Sequence, residues 1–359
     1  MKIPQVLALA MLTTGSLTAQ EVTIIGTTPL MLMTHGTKDT PLTTSSTKTI
    51  KLLHVQLSDK AKQTLTKKAK KTNQLTTNTP SNDSTTTPKA VKLEMNGVPV
   101  LDQGGHGTCV TFATTAAIDA ALNKGDYISQ LCQLQLGNFI ATHGYGINGW
   151  DGTWGRPVLN QMDAFGFINK AHEATHGCGG LTSYPLGSAE PETFINVDDF
   201  HQISEPLNIN LDAPEISWSE LVDGDQIFLD NINTTSTLTA VKTALAQGDR
   251  VTFGVLLAAV QLGNAGAVGT YRSLDDSWVL TPEIKHDVAI NPPDTGHEMV
   301  ITGYDDDAIS YDTKGRKYTG LLTLRNSWSK YTGDHGNFYM SYDYFKLLLL
   351  EAYRIRTVS

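Results

Sequence analysis

The sequence predicts an α+β protein. Its 359 residues are 40% hydrophobic and 8% aromatic, which is enough apolar material for one large or two modest domains and excludes a disordered chain. Apolar residues recur at helical spacing after residue 109, whereas short apolar runs separated by turn residues dominate the later part of the chain. We therefore expect a mainly helical part at about 93–205 and a mainly β part at about 206–345.

The first 19 residues have the pattern of a secretory signal. Lys2 gives a short positive end, residues 6–12 are apolar, and small residues lead to Ala19 before the expected cut. This apolar run is too short to cross a bilayer, and no later stretch approaches the required length. The sequence therefore predicts a secreted or periplasmic protein without a membrane span.

Residues 20–92, hereafter the arm, are basic, whereas the rest of the chain, hereafter the body, is acidic. Residues 21–92 hold 11 Lys and 4 acidic residues, and residues 93–359 hold 15 basic and 32 acidic residues. An acidic body argues against nucleic-acid binding, which needs a concentrated positive face. The arm's most obvious partner is the body itself.

Most of the arm is expected to be linker, because 24 of the 72 residues at 21–92 are Ser or Thr. Two pieces are exceptions. Residues 50–57 form a predicted strand, and Ser58 is a predicted N-cap for a helix with Ala61, Leu65 and Ala69 on one face. A packed helix and a transient, solvated helix are equally compatible with these residues.

The predicted elements of the body follow from periodicity and stop signals. Helices are expected at 109–121, 161–171 and 237–247, the last followed by Gly248. Strands are expected at 251–257, 298–303, 320–325 and 337–340.

Cys109 directly precedes the alanine-rich helix and follows a glycine-rich loop. Backbone N–H groups and the helix dipole at such a position favour a thiolate, the form that attacks an acyl carbon. Gln103, on the loop, can donate from its side-chain amide to a developing oxyanion together with the Cys109 N–H. A small buried core cysteine is the alternative interpretation.

Three separated motifs resemble those of the papain-like cysteine peptidases. Gln103 to Ala113 (Gln-Gly-x-x-Gly-Thr-Cys-x-x-Phe-Ala) is similar to the nucleophile segment, residues 295–304 to the catalytic-histidine strand, and residues 324–338 to the asparagine segment. The resemblance covers most of residues 95–345. It implies a two-lobe fold with a cleft between the lobes, and peptide hydrolysis without a cofactor.

The resemblance also assigns roles to individual residues. It implies Cys109 as nucleophile, His297 as acid and base, Asn326 as the residue that orients the imidazole, and Gln103 as oxyanion donor. Trp328 would shield the His–Asn bond from water. Residues expected at the substrate groove are Asn148, Gly149, Val255, Ala258 and Glu298, with Trp328 beside them.

The charge split predicts a zymogen, because the change from a basic arm to an acidic body coincides with the start of the papain-like region, although the arm matches no pro-region pattern of the family. Residues 20–92 would be the pro-region that inhibits the catalytic domain at 93–359, and the partner would be a peptide or protein substrate of a monomeric enzyme. Cys132 and Cys178 match no disulfide position of the family, yet they can pair with each other and leave Cys109 free.

Two other functions remain open from the sequence. One is a catalytically silent, papain-like binding protein. The other is a zinc peptidase, because His172, Glu173 and His176 match the HExxH pattern, with Glu190 or Glu192 as the remaining candidates for a third ligand. Gly177 and Gly179 follow the pattern at once and argue against a stiff helix there. For this reason no metal is expected.

Overall fold

The structure is a computed structural model that describes residues 20–34, 46–71, 87–146, 148–207, 216–229 and 232–357. The predicted signal at 1–19 lies outside the described residues. No helix in the described part of the chain is both long and apolar enough to cross a membrane.

The described part of the chain contains both helices and strands, as the sequence predicts. The helices are α1 (Asp59–Lys71), α2 (Cys109–Leu122), α3 (Gln130–Thr142), α4 (Gly155–Phe165), α5 (Lys170–His176), α6 (Val197–Ile203), α7 (Thr234–Ala246), α8 (Pro282–Ile290) and α9 (Tyr342–Leu348). The strands are β1 (Val22–Thr34), β2 (Ser46–Leu57), β3 (Ala90–Lys92), β4 (Ser217–Val222), β5 (Arg250–Leu256), β6 (Gly269–Thr270), β7 (Ser277–Trp278), β8 (Thr295–Asp312), β9 (Lys317–Arg325), β10 (Asn337–Ser341) and β11 (Leu349–Arg356).

The predicted α+β class is confirmed. The described strands form one sheet in the order β4-β11-β5-β8-β6-β7-β10-β9, and its pairs are antiparallel except for β7 with β10. Strand β8 is central, because β2, β3 and β9 also pair with it. Five helices, α2 to α6, precede the strand-rich part, whereas the bounds at about 93–205 and 206–345 stay a prediction.

The arm is more ordered than the sequence predicts. Strand β1 was expected to be linker, but it pairs with β2 along its whole length in an antiparallel hairpin. Its threonine- and methionine-rich sequence gives no clean alternation of apolar and polar residues, so only the partner strand specifies it. Hairpin and helix α1 together make the arm a folded unit on the sheet.

Helix α1 is packed rather than solvated. The Ser58 hydroxyl accepts a hydrogen bond from the Ala61 N–H at 3.0 Å, which confirms the predicted cap. Ala61, Leu65 and Ala69 are each at most 1% exposed, and the helix lies against α8. The burial of this apolar face shows that the packed helix, and not the solvated one, is the correct interpretation of the sequence.

The predicted helix at 161–171 is wrong, because the chain forms two helices there. Helix α4 ends at Gly166, whose φ of 76° lies in the left-handed region, and Asn169 caps α5. Between them, Phe167 exchanges backbone hydrogen bonds with Glu205. A Cβ on Gly166 would meet the Glu205 carbonyl oxygen at 2.1 Å, so this close approach requires glycine and ends the helix.

Helix α2 is the buried axis of the helical part. It packs against β5, β8, α3 and α4, and ends at Asn123 in the left-handed conformation. On one flank of this core, Cys132 and Cys178 form a disulfide with their Cα atoms 5.2 Å apart, as the sequence allowed. Cys109, at the start of α2, is the free cysteine and is completely buried.

Candidate active site

Helix α2 begins at Cys109, and its N-terminus lacks a side-chain cap. Thr108 occupies the N-cap position, but no side chain in the described part caps the helix. The Thr108 hydroxyl instead pairs with the Tyr184 hydroxyl at 2.9 Å, and Tyr184 donates to the Gln103 carbonyl at 2.8 Å. The first backbone N–H groups of the helix are therefore left for the Cys109 thiolate or an oxyanion.

His297 and Asn326 form the predicted hydrogen bond, with 2.8 Å between Nε2 and Oδ1. Oδ1 also accepts the backbone N–H of Ser327 at 2.7 Å, which fixes the orientation of the amide because an amide nitrogen could not accept there. Nε2 of His297 must therefore carry the proton. In the neutral ring, Nδ1 is a free base, and it has no hydrogen-bond partner among the described residues.

Trp328 covers this pair. Its ring stacks on the imidazole of His297 with centroids 4.4 Å apart, and both side chains are fully buried. Exclusion of water strengthens the His297–Asn326 hydrogen bond, since the local dielectric is low. The geometry matches the shielding role expected for Trp328.

Gln103 is held against the asparagine loop. Its N–H donates to the Ser327 carbonyl at 2.8 Å, and the Ser327 hydroxyl donates to its Oε1 at 2.8 Å. These contacts leave Nε2 as the donor, which bonds to the His106 carbonyl at 2.8 Å and to the Lys51 carbonyl at 3.4 Å. The proposed oxyanion donor thus already holds a carbonyl oxygen of the arm.

The arm hairpin lies directly on the site. Leu53 and His54 of β2 pair with Gly296 and Thr295, the two residues before His297. Leu53 also faces Gly152, where an added Cβ would meet Leu53 Cδ2 at 2.6 Å and Ile24 Cγ2 at 3.2 Å. Both strands of the hairpin therefore occupy the space between the helical part and β8.

Burial keeps the site in its neutral form. It raises the pKa of Cys109 to about 12, although the backbone N–H of Glu298 opposes this, and lowers the pKa of His297 to about 4. Over the pH range between these values, thiol and imidazole are both uncharged. In this buried site, the thiolate that the sequence predicts for Cys109 is disfavoured.

The predicted groove residues divide into two groups. Val255 and Ala258 are buried on and after β5, and Val255 pairs in register with His297. Gly149 faces away from the arm, because an added Cβ would meet Leu134 Cδ2 of α3 at 2.9 Å; Asn148 caps the short turn at Gly149–Asp151. Gly152, rather than Gly149, lies against the arm. A direct role for Asn148 and Gly149 in substrate binding stays a prediction.

The HExxH residues are engaged elsewhere. His172 Nδ1 bonds to the Ile203 carbonyl at 3.0 Å, and Glu173 is buried. Glu190 pairs with Lys51 of the arm at 2.9 Å. Among the described residues, no group of three or more His, Cys, Asp or Glu side chains is arranged to hold a metal ion.

Tyr184 and Ser327, to which the sequence assigns no role, support the site. Ser327 lies within the asparagine motif, so its position beside Asn326 was the available signal. Tyr184 lies 75 positions from Cys109 in the chain, and only the fold brings its hydroxyl to Thr108 and Gln103. Glu351 of β11 faces Gly254, opposite Glu298.

Several solved protein structures are similar to this chain. No protein-family model and no curated protein matches the chain. Xylellain, a cysteine protease from Xylella fastidiosa, is 20% identical with a TM-score of 0.44 over 76% of this chain and 87% of its own. Procathepsin L 3 of Tenebrio molitor larval midgut is 15% identical with a TM-score of 0.46 over 77% of this chain and 72% of its own.

Bromelain from Ananas comosus is a third match, 17% identical with a TM-score of 0.42 over 76% of this chain and 99% of its own. These three structures are papain-like cysteine proteases, one of them a proform, which is the class that the sequence motifs predict. With these identities and TM-scores, support for a function has to come from the site geometry.

The Asn326 hydrogen bond allows a specific prediction. Asn326→Ala should lower kcat of the processed protein by roughly 10- to 100-fold, because the imidazole loses the acceptor that fixes its tautomer. Asn326→Gln should not restore activity, since the longer side chain cannot keep both the His297 and Ser327 bonds. Steady-state kinetics on one peptide substrate tests this, and unchanged kcat in Asn326→Ala would contradict it.

Proposed function

We propose that this chain is the zymogen of a secreted, papain-like cysteine endopeptidase. The observation that carries the proposal is the His297–Asn326 pair, which leaves the imidazole Nδ1 as a free base. Cys109, a free cysteine at an uncapped helix N-terminus, accepts a hydrogen bond from the backbone N–H of Glu298, the residue after His297. These are the parts that nucleophilic acyl transfer requires. Signal cleavage after residue 19 and export are part of the proposal.

In the proposed mechanism, His297 takes the Cys109 proton and the thiolate attacks a peptide carbonyl carbon. Gln103 Nε2 and the Cys109 N–H stabilise the oxyanion, because both are donors held in place before the reaction begins. His297 then protonates the leaving amine, and a thioester remains. Water, deprotonated by His297, hydrolyses the thioester and restores the thiol.

The arm is proposed to be the inhibitory pro-region. The hairpin covers the groove at Gly152 and Gly296, and the Lys51 carbonyl accepts from the proposed oxyanion donor. Lys48 and Lys51 form ion pairs with Asp102 and Glu190 of the body. In this proposal the arm blocks substrate access, and its exclusion of water from the site favours the uncharged thiol of Cys109.

The ion pairs predict how salt and acid affect the arm. Burial raises the pKa of Glu190, but a hydrogen bond to Asp151 and the Lys51 charge together hold it below its usual value. Because the pKa of Glu190 is lower with the arm bound, the ionised carboxylate stabilises the bound arm at pH values above its ordinary pKa of about 4.5. This contribution to stability is lost as the pH falls further. Salt weakens the same attraction by screening.

We therefore expect the arm to inhibit peptide hydrolysis less in Lys51→Ala than in the unaltered chain at low salt. Near 1 M salt or below pH 4, the two chains should be inhibited equally. Lys62→Ala is the matched control, because Lys62 is an exposed lysine on α1. Peptide hydrolysis by the unprocessed chains measures the effect. Inhibition that is independent of salt and of Lys51 would contradict the electrostatic part.

The proposed function is tested by activity-based labelling combined with inhibitors. Processed protein should hydrolyse a peptide library, and an epoxysuccinyl thiol reagent should stop this hydrolysis by alkylating Cys109. Activity that is lost to a chelator and untouched by the thiol reagent would favour the zinc peptidase. Absence of hydrolysis on every peptide would favour the catalytically silent binding protein.

A further inference from the structure

The side chain of Lys51, in the arm, reaches two carboxyls of the body. Its Nζ lies 2.9 Å from Glu190 Oε1, and the exposed fractions of the two side chains are only 19% and 28%. Glu190 shares a hydrogen bond with Asp151, and the charge of Lys51 acts on both carboxyls. The structure therefore shows a partly buried cation bound at a pair of carboxyls.

The backbone of the same lysine lies at the proposed oxyanion donor. The Lys51 carbonyl accepts from Gln103 Nε2 at 3.4 Å, the donor that would hold the carbonyl oxygen of a scissile bond. Two residues further along β2, Leu53 pairs with Gly296, the residue before His297. The arm thus follows the groove as an extended peptide, with one carbonyl at the oxyanion donor and the side chain of that residue at the carboxyl pair.

Both carboxyls belong to segments that pack on the glycine-rich loop before the nucleophile. A Cβ added to Gly107 would meet the Asp151 carbonyl carbon at 3.1 Å. A Cβ added to Gly105 would meet the Cα of Ser188, two residues before Glu190, at 3.2 Å. The carboxyl pair is therefore a wall of the groove in the helical part of the body.

Removal of the arm takes the cation away from this pair. Burial, the hydrogen bond to Glu190 and the charge of Glu190 raise the pKa of Asp151 to about 6, and the Lys51 charge opposes them. Two adjacent carboxyls ionise together only when a cation lies beside them. His106, which lies nearby, does not supply this cation, because burial lowers its pKa. A group that enters the vacated place is therefore favoured when it carries positive charge at the end of a side chain as long as that of lysine.

We propose that Glu190 and Asp151 form a subsite that binds a lysine or arginine side chain of the substrate, and that Lys51 of the arm occupies this subsite in the unprocessed chain. This inference rests on the proposed function and names its substrate class. The substrate residue that carries the cation is the one whose carbonyl lies at Gln103, or a direct neighbour of it. Removal of the arm frees the subsite and the oxyanion donor together, because one arm residue occupies both.

The test compares peptides that differ at one residue. Full-length protein is processed to remove the arm, and kcat/KM is measured on N-acetylated peptides carrying Lys, Arg, norleucine or Glu at each position near the scissile bond. Norleucine has the length of lysine without its charge, and acetylation removes the competing α-ammonium group. At one position, Lys and Arg should exceed norleucine by about tenfold, as expected for a hydrogen bond between charged groups, and Glu should be poorest.

Three variants assign the preference to the carboxyl pair. Glu190→Gln should reduce the Lys-to-norleucine ratio toward one, because the amide keeps the shape of the side chain but not its charge. Asp151→Asn should lower the same ratio by a smaller factor, since Asp151 is exposed and lies behind Glu190. Glu192→Gln is the matched control: Glu192 is an exposed carboxylate two residues further along the same segment, so its replacement should leave the ratio unchanged.

The outcomes separate this subsite from the proposed function. Equal kcat/KM for Lys and norleucine at every position overturns the subsite alone. A Glu190→Gln chain in which the arm inhibits less, but in which the Lys-to-norleucine ratio is unaltered after processing, also overturns it, because the carboxyls would then hold only the arm. No hydrolysis of any peptide, with Cys109 unlabelled by the epoxysuccinyl reagent, overturns the proposed function as well.

Discussion

Cys109→Ala is expected to abolish peptide hydrolysis by the processed protein, with a loss of about 10⁴-fold or more, as for removal of a nucleophile in other acyl-transfer enzymes. No neighbouring group can replace the thiol: Thr108 is bonded to Tyr184, and the other two cysteines form a disulfide. Folding should be unaffected, because an alanine at this position of α2 removes only the sulfur atom.

Thr114→Ala is the matched control for this variant. Thr114 is a buried residue further along the same helix, and its hydroxyl has no hydrogen-bond partner among the described residues. Its replacement should leave kcat/KM within about twofold, since it removes no interaction of the site. Circular dichroism and thermal unfolding confirm that each variant is folded, and hydrolysis retained by Cys109→Ala would refute the mechanism.

Leu53→Arg in the arm is expected to open the site of the unprocessed chain. Leu53 is 3% exposed and lies between Gly152 and Gly296, so a charged side chain cannot remain there without a partner. Once water reaches Cys109, the pKa of its thiol should fall from about 12. Since each pKa unit changes the thiolate fraction tenfold, alkylation of Cys109 by iodoacetamide at pH 7 should accelerate by roughly 100-fold or more.

Met31→Arg is the control for the arm. Met31 belongs to the same hairpin, but its side chain is 66% exposed, so arginine there should change the alkylation rate little. Mass spectrometry of the full-length species follows alkylation without interference from processing. Equal rates for Leu53→Arg and the unaltered chain would mean that the hairpin does not control access to Cys109.

Much of the candidate site could be predicted because its signals are local. The Gln103–Cys109 loop runs straight into its helix, and Asn326, Ser327 and Trp328 are consecutive, so each motif is short enough for its resemblance to the family to be seen in the sequence. The disulfide could also be predicted, since Cys132 and Cys178 are the two cysteines that remain once Cys109 is taken as the nucleophile.

What the sequence could not predict depends on long-range pairing. Strand β1 exists because β2 pairs with it, and β2 meets β8 through only two residues, Leu53 and His54. The contact of Glu351 with Glu298 requires three strands in register. The break between α4 and α5 depends on Glu205, which lies 39 positions beyond Gly166. None of these partners is encoded near the residue that it constrains.

The most direct test of the proposed zymogen is labelling of the natural chain by an epoxysuccinyl thiol reagent before and after the arm is removed. Peptide mapping by mass spectrometry identifies the labelled residue in each form. We expect label on Cys109 in the processed form, and little or none in the full-length form under the same conditions. Equal labelling of both forms, or a processed form that is not labelled at Cys109, would contradict a cysteine peptidase inhibited by its own arm.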